Sequence, residues 1–131
     1  MSTVPEQRGE VESLIAAAKR DSLAFNLLSA QPEVPTEVMF FLAQQSIEKT
    51  IKAMPAHRKV AYRKTHDLVE LSALLSDDSL QGVLPEDLMI RLGPYVVEMR
   101  YVNTASPQVG VDEVKRAVAG VLAWAQRMLT S

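Results

Sequence analysis

The chain reads as an all-α protein, an up-and-down bundle of four or five helices. Two observations predict this: apolar residues recur at steps of three and four in several segments, and no period-two run is bounded by Asn-Gly or Asp-Gly turns. Val111, Val114, Val118, Val121, Ala125 and Met128 line one face of a helix ending near the C-terminus. Asp112 and Glu113 in its first turn and Arg127 in its last match the helix dipole. Phe40, Ala43, Ile47, Ile51 and Met54 give a second stripe, from about Thr36 to a stop expected at Pro55. Leu14, Ala18, Phe25 and Leu28 give a third, ending before Pro32 and interrupted by Asp21. In PEDLMIRLGPYVVEMRYV the stripe Leu88, Leu92, Tyr95, Met99, Val102 contains Gly93-Pro94, so a kink or two abutting helices are expected there. A short helix from about Thr65 to Leu75, with Thr65 as N-cap and Asp67 in the first turn, completes the set. Met39, Leu42, Val97 and Trp124 lie outside the main stripes, more apolar positions than one small bundle needs, and a homodimer is the expected assembly.

With 131 residues the chain is long enough for one core and too short for two, so a single domain over 1–131 is expected. The absence of cysteine excludes disulfides and thiolate zinc sites. The opening MSTVPEQRGEVE lacks the basic start and apolar run of a secretory signal. No uncharged stretch approaches the roughly eighteen apolar residues a membrane span requires. A cytoplasmic protein without a membrane partner is the expectation. Among enzyme motifs, no Glu stands three residues before either histidine, which excludes a carboxylate-bridged di-iron bundle. No glycine-rich phosphate cradle or calcium loop occurs, so neither metal nor cofactor is expected.

Charge is the informative feature. The formal net charge is -2, yet from Lys49 to His66 there is no Asp or Glu, while Lys49, Lys52, Arg58, Lys59, Arg63 and Lys64 all fall in that window with both histidines. One sign concentrated in this way raises the local potential and makes the run a candidate anion site. Within it, RKTHDL has two readings. As a plain helix start, Thr65 caps, Asp67 favours the dipole and His66 is incidental. As an anion site, the free N–H groups of the helix start are entered through Arg63 and Lys64. Gln44, Glu48 and Lys52 form one i, i+4 line, and Gln45 and Lys49 a neighbouring one, the pattern of a solvated face with a Glu48 to Lys52 pair. Asp21 either reaches water at the edge of its stripe or is partly buried and needs a cation such as Arg100 or Lys49. Arg100 and Tyr101 lie beside the stripe of their helix, where an internal ion pair and a functional arginine are equally compatible.

FFLAQQSIEKTIKAM, then KTHDLVEL, then YVVEMRY, preceded by AKRDSLAFNLL, resemble the HEPN family of small helical domains in order and separation, over about residues 14–128. The resemblance implies a bundle that commonly dimerises and that is paired with a minimal nucleotidyltransferase in toxin–antitoxin or nucleotide-handling modules. By position, the family's characteristic residues would be Asp21, Gln45, Glu48, Lys49, Lys52, Lys64, Thr65, His66, Asp67, Arg100 and Tyr101. Many HEPN proteins are metal-independent ribonucleases whose active site is an Arg followed four to six residues later by a His. The arginine would stabilise a phosphorane-like transition state and the histidine would move protons. Here Arg100 is followed by YVNTASPQVG, without a His, and the tyrosine two residues beyond that His, which a partner nucleotidyltransferase can modify, is missing with it. The usual Pro after Arg-Tyr is Val102.

The leading expectation is therefore a partner protein binding a nucleotide or RNA phosphate through Lys49, Lys52, Arg63, Lys64, Thr65, His66, Arg100 and Tyr101, with Asp21, Gln45, Glu48 and Asp67 in support. The alternatives are a ribonuclease toxin using Arg100 with His66, and a dimeric helical scaffold without a ligand.

Overall fold

The computed structural model describes residues 5–75, 78–95 and 109–130. Its α-helices are α1 (Pro5–Ser29), α2 (Thr36–His57), α3 (Leu68–Ala73), α4 (Glu86–Leu92) and α5 (Val111–Thr130), with 3-10 turns at Asp78–Leu80 and Gly93–Tyr95. Among the described residues there is no strand, and the protein is an all-α bundle. No helix of the described residues is long and apolar enough to cross a membrane.

The α2 helix is the centre, packed on α1, α3, α5 and the 3-10 turn at Gly93–Tyr95. The link 30–35, punctuated by Pro32 and Pro35, folds α1 and α2 into an antiparallel hairpin. Their close approach is sealed by Ser46, whose hydroxyl donates to the Ala18 carbonyl at 2.8 Å. The predicted stripes meet as expected: Phe25 from α1, Phe40, Ile47, Ile51 and Met54 from α2, and Val114, Val118 and Val121 from α5 form one core. Removing such side chains from water is the main stabilising term, roughly 1.5–3 kcal/mol each. Phe40 and Tyr95 meet edge to face with ring centroids 5.3 Å apart.

Three expectations change. The α2 helix runs through Pro55 to His57. A proline so near the end forfeits one backbone bond, and the final turn still closes through Arg58 N–H to the Met54 carbonyl at 2.9 Å. The short helix starts at Leu68, not Thr65, and its N-cap is Asp67, whose carboxylate accepts from the Val69 and Glu70 amides. The Thr65 hydroxyl instead accepts from the Asp67 amide at 3.1 Å, closing a turn ahead of the helix. Finally, Met39 and Trp124, read as surplus apolar residues for a dimer face, are buried in the chain's own core. The Trp124 indole N–H donates to the Ser79 hydroxyl at 2.7 Å. Leu42 is half-buried against the same core, and Val97 lies outside the described residues. The expected break at Gly93-Pro94 is present: α4 ends at Leu92 and tightens into a 3-10 turn.

Candidate functional site

The basic run begins in the last turns of α2 and continues along the connection to α3. How α2 ends decides where the run goes. Lys59 adopts φ 59°, the left-handed conformation. Its N–H bonds to the Ala56 carbonyl at 3.3 Å, while the Val60 N–H bonds to the Pro55 carbonyl at 2.8 Å. This pair of bonds is a Schellman motif with lysine at the position usually held by glycine. The chain reverses there and returns along α2, so that His66 comes back to the level of Gln44 and Glu48.

Glu48 is the anchor of the returning segment. Its carboxylate is 4 % exposed and meets three donors. The His66 Nδ1 stands 2.9 and 3.0 Å from its two oxygens. The Lys52 ammonium donates at 2.9 Å, and the Gln44 amide at 3.3 Å. The same Gln44 amide nitrogen also donates to the His66 carbonyl at 3.2 Å, and the Gln44 side-chain oxygen accepts from Gln45 at 3.0 Å. The line expected on a solvated face is therefore largely interior, since Gln44 and Glu48 are buried against the segment that carries His66. An ionised carboxylate only accepts, so Nδ1 carries the proton and Nε2 is the ring atom left for other chemistry. Nε2 makes no hydrogen bond among the described residues, and the His66 side chain is 61 % exposed.

Several other expected site residues are brought together, but with one another. Asp21 is partly buried and takes Lys49 as its cation at 2.6 Å. Arg63 lays its guanidinium on the Glu70 carboxylate, with Nε at 3.0 Å; the pair raises the Arg63 pKa and lowers that of Glu70 through those hydrogen bonds. Arg58 donates to the Leu75 carbonyl at 3.2 Å. The amides at the start of α3 are occupied by the carboxylate of Asp67, so the anion at that helix start is the protein's own. Lys64 makes no hydrogen bond or ion pair among the described residues. Arg100 and Tyr101 lie outside the described residues.

Two clefts flank the returning segment. One, of about 460 Å³, is lined by Lys59, Tyr62, Lys64 and Glu10. The Tyr62 hydroxyl donates to the Glu10 carboxylate at 2.8 Å, and burial together with that carboxylate pushes its pKa up to about 12. The other, of about 540 Å³, lies between α3 and α4 with His66 on its wall. Sequence reasoning missed Glu10, Tyr62, Glu70 and Glu86 as neighbours of the run. The available signal was Tyr62, the only aromatic residue inside it. Among the described residues no group of three or more His, Asp or Glu side chains is arranged to hold a metal ion.

No curated protein and no solved structure matches the chain. The family model described as the HEPN domain matches residues 9–128, which spans α1 from its second turn, the central α2, the Glu48–His66 seam and nearly all of α5. On that match the chain belongs to the HEPN domain family.

Proposed function

We propose that this HEPN chain binds the phosphate of a nucleotide or of RNA at Lys64 and His66. In this reading it acts, as a homodimer, beside a minimal nucleotidyltransferase in a toxin–antitoxin-like module. The observation that carries the binding role is the His66 imidazole, oriented from behind by the buried Glu48 and exposed at its other edge, two residues from a lysine without a partner among the described residues. Lys49, Lys52 and Arg63 are spent on Asp21, Glu48 and Glu70 and support this site rather than touching its ligand. Thr65 and Asp67 hold the turn that presents it. Arg100 and Tyr101 join the site by family position alone. The partnership with a nucleotidyltransferase likewise rests on the family resemblance. Calorimetric titration with AMP and with a short RNA tests the binding role. Lys64→Ala and His66→Ala each lower affinity about tenfold, the scale of one charge-assisted hydrogen bond, and Arg63→Ala leaves it unchanged. Equal affinity in all four proteins overturns the site.

A second reading has its own observation. A histidine held by a buried carboxylate is the arrangement of a proton-transfer group, and it favours a metal-independent ribonuclease in which His66 moves the proton and Arg100 stabilises the phosphorane. Labelled RNA incubated in EDTA decides between them. Cleavage lost in both His66→Ala and Arg100→Ala establishes the enzyme, and an intact substrate with the wild-type protein leaves binding as the role.

A further inference from the structure

The cleft between α3 and α4 has a composition that the phosphate site does not explain. Its floor is apolar: Met89 is buried, and Val69 and Ile90 complete it, Ile90 being 60 % exposed. Two carboxylates, Asp67 and Glu86, stand on its wall beside His66. Asp67 uses Oδ1 to cap α3, whereas Glu86 makes no hydrogen bond or ion pair among the described residues. A phosphate placed against Asp67 and Glu86 would be repelled by both. A flat, weakly polar ring with N–H donors on its edge fits both the apolar floor and the unpartnered acceptor. The volume, about 540 Å³, lies within the range of small-molecule sites.

We propose that this cleft seats a nucleobase with its donor edge toward Glu86, and that it selects guanine, which alone offers two adjacent N–H donors to one carboxylate. The inference rests on the phosphate site at Lys64 and His66, and it divides the ligand between them: the phosphate lies on the basic side of the returning segment and the base on its acidic side. Glu86 is then a specificity residue. Uracil, which flanks its single N–H with two carbonyl oxygens, meets Glu86 unfavourably.

The test separates the two sites by using nucleosides as well as nucleotides. Guanosine and uridine, which lack phosphate, are titrated into the methyl-labelled chain while the Met89 and Ile90 methyl resonances are followed, and GMP and UMP are titrated in parallel. Guanosine shifts both resonances and binds about tenfold or more tightly than uridine, the scale of hydrogen bonds to a charged acceptor. Glu86→Gln abolishes that preference, while Lys64→Ala weakens GMP and UMP equally and leaves guanosine unchanged. Nucleotides that bind through Lys64 without base preference, or a preference that survives Glu86→Gln, overturn the nucleobase cleft and leave the phosphate site standing. Guanosine binding without any gain from phosphate overturns the phosphate site alone. No binding by either nucleoside or nucleotide overturns both.

Discussion

Glu48 and Glu113 are each gripped by cations at under 3 Å, yet the two carboxylates have opposite surroundings. Glu48, 4 % exposed, is enclosed by Lys52, His66 and Gln44 beneath the returning segment. Glu113, 38 % exposed at the start of α5, receives Arg91 of α4 at 2.7 and 2.8 Å, and Asp87 takes the same guanidinium at 2.8 Å. The first carboxylate has no water to replace a lost partner, whereas the second has solvent beside it. Equal distances therefore carry unequal energies, because burial sets the penalty for leaving a charge unpaired. The buried cluster fixes the position of His66 and so belongs to the candidate site. The exposed one clips α4 to α5.

The largest expected effect comes from breaking the buried side. Glu48→Ala strands the Lys52 ammonium, removes one of the two acceptors of the Gln44 amide and frees the His66 ring, at a cost of about 3–5 kcal/mol in urea unfolding. The same change should expose the amides of residues 60–67 to hydrogen exchange before the rest of the chain. A loss below about 1 kcal/mol would mean that the segment is held by something other than this carboxylate.

Arg91→Ala probes the exposed side and should cost about 0.5–1 kcal/mol, diminishing as salt is added. It also carries a pH signature. Hydrogen bonds from Arg91 hold the Glu113 carboxyl below its ordinary value of 4.5. A folded-state value below the unfolded one gives stability that is complete above about pH 4.5 and is lost as pH falls through the folded value. Arg91 itself is raised by the same contacts and stays charged throughout. The acid limb of the melting temperature should thus flatten in Arg91→Ala, and an unchanged limb would show that Glu113 does not feel the guanidinium in solution.

An effect of similar size has the opposite sign. Lys59 occupies a left-handed position that costs a side-chain-bearing residue roughly 1–2 kcal/mol. Part of this is offset by the extra freedom glycine brings to the unfolded chain. Lys59→Gly should raise stability by about 0.5–1 kcal/mol while keeping the reversal that returns His66 to Glu48. If stability falls instead, the lysine side chain contributes more at this corner than its backbone strain takes away.

What sequence alone determined here was local. The stripes on α1, α2 and α5, the break at Gly93-Pro94 and the Glu48–Lys52 pair all depend on residues within a few positions of one another, where helical period and backbone sterics fix the outcome. Asp21 was legible by type, since a carboxylate on an apolar stripe requires a cation, and Lys49 supplies it. The family likewise showed in local strings on four segments. Tertiary structure decided the rest. A run of six cations looked like an open anion site, but Asp21, Glu48 and Glu70 take Lys49, Lys52 and Arg63. His66 reached Glu48 only because the Schellman turn at Lys59 sent the chain back along α2. Trp124 and Met39 turned inward for a related reason: other elements of the chain, such as Ser79 beside the indole, closed over them. Whether a charge or an apolar side chain is satisfied depends on what arrives from elsewhere in the sequence, and no local period encodes that arrival.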